Sequence, residues 1–295
     1  MSYVASPSVR KYAGDRGVDL AAVAASTGRE TLAREDVDRH LSGGAAAPAA
    51  GASTRYWDVD HAVHGPVTQE ATDRIARLAA DNLQAASAVI PQVTHHDRAD
   101  MGAVEALRAR LREEAVGRGV RLTALAFHVK ALTRCLQAFP RFNASLSADG
   151  ETLTLKHYIH VGIAVDTPAG LMVPVIRDAG RKGLWGIAAE IGDLAGRAQA
   201  RKLRGTEMGG ASMTISNLGG LGGRAFTPIV NPPELAILGL TRTSTEPVWD
   251  GAAFQPRPIC PLDLSYDHRV INGADAARFL THYAALMEEP RRMLI

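Results

Sequence analysis

The apolar positions of this chain recur at two periods. Ile75, Leu78, Ala79 and Leu83 lie at helical spacing, as do Val104, Leu107 and Leu111. Leu122, Leu125, Ala126, Val129, Leu132 and Leu136 mark a third helix, apolar enough to be well buried. Residues 158–165 (YIHVGIAV) form a β-branched run, and 171–176 form a second one interrupted by Pro174, with Ala169-Gly170 at the turn between them. A fourth helix carries Leu184, Ile187, Ala188, Ile191 and Leu194 on one face. Strand-like runs follow at 212–216, 235–240 and 259–266, and a last helix carries Leu280, Tyr283, Ala284 and Met287. Strands and helices mix without strict alternation, which predicts an α/β (α+β layered) domain with a largely mixed sheet.

A smaller module precedes this domain. Pro7 or Ser8 opens a helix whose stripe is Val9, Tyr12 and Ala13, and Gly17 ends it. Residues 19–23 read as a short helical turn, and 34–41 as a second helix with Val37 and Leu41 one turn apart. Residues 43–54 (GGAAAPAAGAST) carry no charge and no large apolar side chain, so they cannot offset their ordering entropy and read as a flexible linker. The expected organisation is a small module over 1–42, a linker over 43–57 and a large domain over 58–295.

Composition narrows the field. Of 295 residues 46% are hydrophobic and 22% charged, and 33 basic face 31 acidic side chains, for a net charge of +2. This is globular composition with no global attraction to nucleic acid or an anionic membrane. No apolar run approaches the roughly 20 residues of a membrane span, and the start has no signal-peptide core, so the cytoplasm is the expected location. Cys135 and Cys260 stand far apart, with no spacing that suggests a disulfide framework or a zinc cluster.

The segment Ser265-Tyr-Asp-His-Arg-Val-Ile-Asn-Gly-Ala274 is the most informative. His268 lies where a strand gives way to a helix, well placed to face a cleft, and imidazole is the side-chain type suited to proton transfer near neutrality. On spacing alone a structural histidine beside the Asn272-Gly273 turn is the simpler reading. The run from Met213 to Arg224 places Ser216 before four glycines, Gly219, Gly220, Gly222 and Gly223. These do not fit the dinucleotide fingerprint, and taken alone they read as a Gly-rich hairpin. The chain has no GxSxG elbow for a serine hydrolase. His95-His96 could offer metal ligands, but neighbours on a strand point to opposite faces, so exposed edge residues are the simpler reading.

Six blocks change the weighing. IPQVTH, VGIAVDTPAGLMVPVIRD, MTISNLGGLGG, FTPIVNPPELAILGL, PVWDGAAFQPR and SYDHRVINGADAARF stand in an order and spacing that resembles the dihydrolipoamide acyltransferase component of 2-oxo-acid dehydrogenase complexes, over nearly the whole chain. Within that family the likeness is strongest to the acetyl-transferring type of the pyruvate dehydrogenase complex. The resemblance implies a chloramphenicol-acetyltransferase-like fold and a homotrimer whose active sites lie between subunits. It implies transfer of an acyl group between a dihydrolipoyl thiol and coenzyme A as substrate, with no metal and no covalent enzyme intermediate. By the same likeness His268 matches the general base and Ser216 the hydroxyl donor to the oxyanion. Asn272 stands where most members carry aspartate, and pairs with Arg74 as a structural clamp on the His268 loop.

The first module resembles the family's peripheral subunit-binding domain. Arg10 would then pair with acidic side chains of the 2-oxo-acid decarboxylase component or dihydrolipoamide dehydrogenase. The middle departs from the pattern: Thr31, not Arg29, aligns with the second docking arginine. The lipoyl group is expected on a domain not present in this chain. Trimers are expected to join into a larger shell, with 291–295 as the apolar contact between them. Branched-chain, 2-oxoglutarate and acetoin acyl specificities stay open. Two rivals are a non-catalytic assembly scaffold, favoured by Asn272, and a free-standing acyltransferase acting on a small hydroxyl acceptor.

Overall fold

A computed structural model describes residues 4–27, 31–41, 59–168 and 170–294; within these, the side chains of Ser26, Thr27, Glu35, Arg39, Arg74 and Ile75 are not described. Arg29 and the linker reading of 43–57 therefore lie outside the described residues. Chain contacts divide the protein into two compact units, Met1–Glu70 and Ala71–Ile295.

The first unit contains β1 (Val4–Ala5), α1 (Pro7–Gly14), α2 (Leu20–Thr27), β2 (Thr31–Leu32) and α3 (Arg34–Leu41), with β1 and β2 paired in parallel. Ser6 caps α1 by accepting from the Val9 amide, and Pro7 at the first position needs no hydrogen-bond acceptor. Of residues 19–23, expected as a single turn, 20–23 belong to a full helix, α2. The Asp19 carboxylate accepts from the Ala21 amide, and the alanine-rich run that follows propagates at little entropic cost. Val9, Ala13, Leu20, Val23, Leu32 and Val37 form the small core.

The second unit begins with α4 (Arg74–Val89), capped by Asp73, and β3 (Gln92–Asp100). Helices α5 (Gly102–Arg110), α6 (Arg112–Gly117) and α7 (Ala124–Ala138) lead to the hairpin β4 (Ala144–Leu146) and β5 (Leu153–Leu155). Then come β6 (Val161–Thr167), β7 (Gly170–Met172), β8 (Val175–Ile176) and α8 (Leu184–Gln199). The chain ends with β9 (Met213–Asn217), β10 (Ala236–Leu240), β11 (Ser244–Trp249), β12 (Phe254–Asp267), α9 (Gly273–Glu288) and α10 (Arg291–Leu294). Eight strands form one sheet in the order β11-β12-β10-β9-β6-β7, with β3 on β12 and β8 on β6. β6, β9 and β10 run parallel and the other pairings are antiparallel, as a mixed α/β sheet requires. The fold-class expectation holds.

The two faces of the sheet differ. Met213, Ile215, Leu238, Leu264 and Tyr266 point into the main core, where α7, α8 and α9 pack. Their alternates, Thr214, Ser216, Asp263 and Ser265, line the other face, crossed by the segment joining β9 to β10. That segment corrects the hairpin reading of the glycines. β9 and β10 are parallel, so the chain after Gly223 must run back along the whole sheet as a strap before β10 begins. The Thr241 hydroxyl donates to the Arg224 carbonyl, and the Val230 amide donates to Gln92 Oε1. Val230 then packs with Ala86, Ile90 and Ile237.

Other expectations shift in detail. The strand read from 158 starts at Val161, because the His160 ring accepts from the Asp178 amide. Leu171–Ile176 splits into β7 and β8 at Pro174, which cannot donate to a ladder. Helix α4 forms, but Leu78 and Leu83 on its stripe are exposed, and only its last turn meets the sheet through Ala86. At the other end, Met293 is buried in this chain's own core, so of 291–295 Leu294 is the exposed apolar member; Ile295 lies outside the described residues.

Candidate active site

His268 follows the last residue of β12 and opens the turn into α9. The turn is built by its neighbours. The Asp267 amide donates to the Leu235 carbonyl (2.8 Å), and the His268 amide to the Pro91 carbonyl (3.1 Å). Asp267 is buried, and Arg269 folds back to grip both its oxygens, with Nε 3.0 Å from Oδ1 and Nη2 2.6 Å from Oδ2. This fork–fork pair satisfies a carboxylate that burial would otherwise penalise, and it closes the turn so that the ring between the two partners is exposed. The His268 ring lies 5.8 Å from the buried Tyr266 ring, tilted by 33°. Asn272 Oδ1 accepts from the Asp275 amide at 2.9 Å and so caps α9, which anchors the far side of the turn. Arg74 is the first residue of α4, and its side chain is outside the description, so its pairing with Asn272 stands as a proposal.

Ser216 lies at the other end of the sheet. It is level with Gly239 on β10, which is level with Asp263 on β12. Strand β12 runs antiparallel to β9, so the end of one strand is remote from the end of the other. At about 3.3 Å per residue from 263 to 268, and about 4.8 Å for each of the two strand steps, the Cα atoms of Ser216 and His268 lie roughly 19 Å apart in one chain. No rotamer of serine or histidine spans that gap. A hydroxyl and an imidazole placed at opposite edges of one sheet can meet only if each faces the other residue of another copy.

Each end opens on a cleft. Beside Ser216 a cleft of about 750 Å³ is lined by Arg121, His128, Asn217, Gly219, Gly220 and Arg242. Two cations and side-chain-free backbone at a glycine turn are the chemistry that holds a phosphate-bearing substrate. Beside His268 a cleft of about 400 Å³ is lined by Asn82, Ile90, Leu146, Pro232, Glu234 and Asp267.

Both clefts hold a titratable group that pattern reading did not single out. Glu234 is 4% exposed; its Oε1 accepts from the Thr214 hydroxyl (2.8 Å) and the Asn231 amide (3.1 Å), while Oε2 is buried without a partner among the described residues. Burial pushes its carboxyl up to about 7, against the pull of Thr214, Asn231 and Lys156. The signal was a lone acid between Pro232-Pro233 and an unbroken apolar strand. His128 is buried in α7, its Nδ1 2.7 Å from the Tyr283 hydroxyl, and burial lowers it to about 4, so it is neutral at pH 7. Its signal was a histidine set directly between two large apolar residues of α7, Phe127 and Val129. Of the two histidines weighed as metal ligands, His96 meets Asp263 at 2.6 Å; no group of three or more metal-ligating side chains occurs among the described residues. In the first unit, Arg10 Nε donates to the Ala5 carbonyl at 3.1 Å, which orients the side chain along the start of α1.

The fold sets the class: a mixed-sheet α/β core with helices on one face, a strap on the other, and a divided polar site. Within that class the chain belongs to the 2-oxoacid dehydrogenases acyltransferase family, whose catalytic-domain model matches residues 64–295, and residues 4–38 match an e3 binding domain. The dihydrolipoyllysine-residue acetyltransferase components of the pyruvate dehydrogenase complex from Cupriavidus necator and Pseudomonas aeruginosa are each 45% identical to it over 99% of this chain and 55% of their own length. The chain thus spans about half the length of these curated relatives. A structure of Azotobacter vinelandii dihydrolipoamide acetyltransferase superposes with a TM-score of 0.79 at 47% identity, covering 80% of this chain and 98% of that one. That work concerns a serine, a histidine and an asparagine in the catalytic mechanism, spaced in that protein as Ser216, His268 and Asn272 are here. The cubic core of a pyruvate dehydrogenase multienzyme complex gives the same TM-score and identity.

Proposed function

We propose that this protein transfers an acyl group, acetyl in first place, between a dihydrolipoyl thiol and coenzyme A, at sites shared between the subunits of a homotrimer. The observation that carries this reading is the separation of Ser216 from His268, because one chain alone cannot bring the two groups to one substrate. A free thiol is mostly protonated at pH 7, and a base within hydrogen-bond reach removes that proton as attack proceeds. His268 serves as this base. The sulfur adds to the thioester carbonyl, and the oxygen of the tetrahedral intermediate accepts a hydrogen bond from Ser216 of the adjoining chain, a contribution of about 3 kcal/mol in comparable sites. Collapse expels the other sulfur, which takes the proton back from the imidazolium, so no charge or group stays on the enzyme.

Asn272 holds the His268 turn through the α9 cap, and Arg74 joins it as a clamp. Arg121 and Arg242 hold the phosphates of coenzyme A. The dihydrolipoyl thiol is carried to the site by a lipoyl domain. Residues 1–42 dock dihydrolipoamide dehydrogenase and the decarboxylase component through Arg10, tethered by 43–57 to the catalytic domain at 58–295, and trimers join into a larger core in the cytoplasm. No helix among the described residues is long and apolar enough to cross a membrane.

The test is acetyl transfer from acetyl-CoA to free dihydrolipoamide by the whole chain. His268→Ala is expected to lower kcat by about three orders of magnitude with the oligomer intact. A parent chain without transfer, or a variant that matches its parent, would leave only the scaffold role.

A further inference from the structure

Level with Ser216 the sheet carries an unusual row. Ser216 on β9 pairs with Gly239 on β10, Gly239 with Asp263 on β12, and Asp263 with His96 on β3, so four consecutive strands place these residues side by side on the strap face. Asp263 is 1% exposed. Its Oδ1 lies 2.6 Å from His96 Nδ1 and its Oδ2 accepts from the Phe226 amide at 3.2 Å, so both oxygens are engaged. Phe226 belongs to the strap, and its ring lies over Gly239. A Cβ added at Gly239 would stand 2.7 Å from Cε1 and Cζ of that ring, which leaves room for glycine alone. The ring therefore fills the column between Ser216 and Asp263, held there by a backbone bond to a buried carboxylate.

Burying a charge at a sheet centre costs several kcal/mol, and well-packed apolar residues commonly replace such pairs without loss. On the neighbouring row of the same face, Ile237 sits between Thr214 and Ser265 with no charge in it. Of these two adjacent rows, the one that carries Ser216 is the one that carries the buried charge. An oxyanion donor works only if it is fixed before charge develops, and a hydroxyl free to rotate gives up most of its effect.

We infer that Asp263 and His96 are positioning residues for the acyl transfer: His96 orients the Asp263 carboxylate, the carboxylate pins Phe226 over Gly239, and the pinned ring confines the Ser216 side chain to the rotamer that serves the adjoining subunit. This inference rests on the proposed role of Ser216. It gives His96, which is exposed on the edge strand β3 as its sequence suggests, a working role, and it needs no contact between the pair and substrate.

A double-mutant cycle on the full chain tests it, with kcat and KM for acetyl-CoA and dihydrolipoamide read beside assembly mass and melting temperature. Asp263→Ala is expected to lower kcat about 10- to 100-fold with both KM values within about twofold. His96→Ala is expected to give a smaller loss in the same direction, and His96→Asn, which keeps an N–H donor, to restore most of it. In a Ser216→Ala background Asp263→Ala is expected to change kcat less than about twofold, because the donor it serves is gone. Full multiplication of the two losses, or a lower melting temperature with kcat untouched, overturns the inference and leaves the role of Ser216 standing. A Ser216→Ala variant with parental kcat overturns both. If Asp263→Ala does not fold, Asp263→Asn and the His96 pair carry the same cycle.

Discussion

Replacing Glu234 by glutamine should remove from the catalytic unit a loss of stability that sets in as pH rises. The carboxyl is buried, one of its oxygens has no partner among the described residues, and burial raises it from an ordinary 4.5 to about 7. Between those values the folded chain binds a proton that the unfolded chain has released, so stability falls as pH rises through the window. Each unit is worth about 1.4 kcal/mol, so the span amounts to about 3 kcal/mol. Glu234→Gln keeps the shape, and the acceptor for Thr214, but cannot ionise. At pH 4.5, where Glu234 is largely protonated in the folded chain, the two proteins should agree within about 1 kcal/mol. At pH 8 the variant should be the more stable by about 3 kcal/mol, or roughly 6–12 °C in melting temperature for a unit of this size. Thermal unfolding by circular dichroism at half-unit pH steps, at one protein concentration, reads the difference. A gap between parent and variant that stays constant from pH 4 to 8 would show that the carboxyl ionises normally, and the reading of that cleft would fail.

His128 acts with the opposite sign. Its folded value of about 4 lies below the ordinary 6.5, so the stability it contributes is present above 6.5 and lost as pH falls towards 4. The double substitution His128→Leu with Tyr283→Phe removes both partners, and the same melts should then show stability rising on acidification from 6.5 to 4.5, a window the parent crosses almost level because the two groups offset each other. Asn272→Ala removes the α9 cap and should cost about 1 kcal/mol in chemical unfolding, whereas Asn272→Asp, which caps as well, should be near neutral. Gly239→Ala drives a methyl into the Phe226 ring and should destabilise by about 1–3 kcal/mol while lowering acetyl transfer more than Ser216-independent variants of equal stability.

The readable parts of this protein were those that local chemistry decides. Helix α3 falls on the residues read for it, α7 is shifted two residues from its stripe, and α8 starts on Leu184 as read and runs five residues past Leu194, because a stripe at 3.6-residue spacing has one way to be buried. Ser216, His268 and Asn272 could be placed at strand ends and a helix start from their neighbours alone. The connection after Ser216 could not, since four glycines read as a tight turn unless the direction of the next strand is known, and that direction is a property of the whole sheet. The pairing of His96 with Asp263 depends on the register of strands more than a hundred residues apart in the chain, and no spacing rule reports it. Glu234 and His128 were hidden by their surroundings: each stands in an apolar run whose pattern survives one polar exception, and burial, which makes them perturbed, appears only once the layers are stacked. Leu78 and Leu83 show the converse. The sequence pattern on α4 is that of a packed face, yet among the described residues Leu78 and Leu83 on that face stay exposed.

Subunit complementation addresses the shared site most directly. Ser216→Ala and His268→Ala chains, each nearly inactive when assembled alone, are co-expressed in equal amounts so that they mix within trimers. If each site takes its imidazole from one chain and its hydroxyl from the next, about one quarter of the sites in the mixture carry both, and transfer from acetyl-CoA to dihydrolipoamide should return to about one quarter of the parent rate. A mixture no more active than its two components would mean that the two residues serve within one chain or not at all, contrary to a sheet that holds them roughly 19 Å apart.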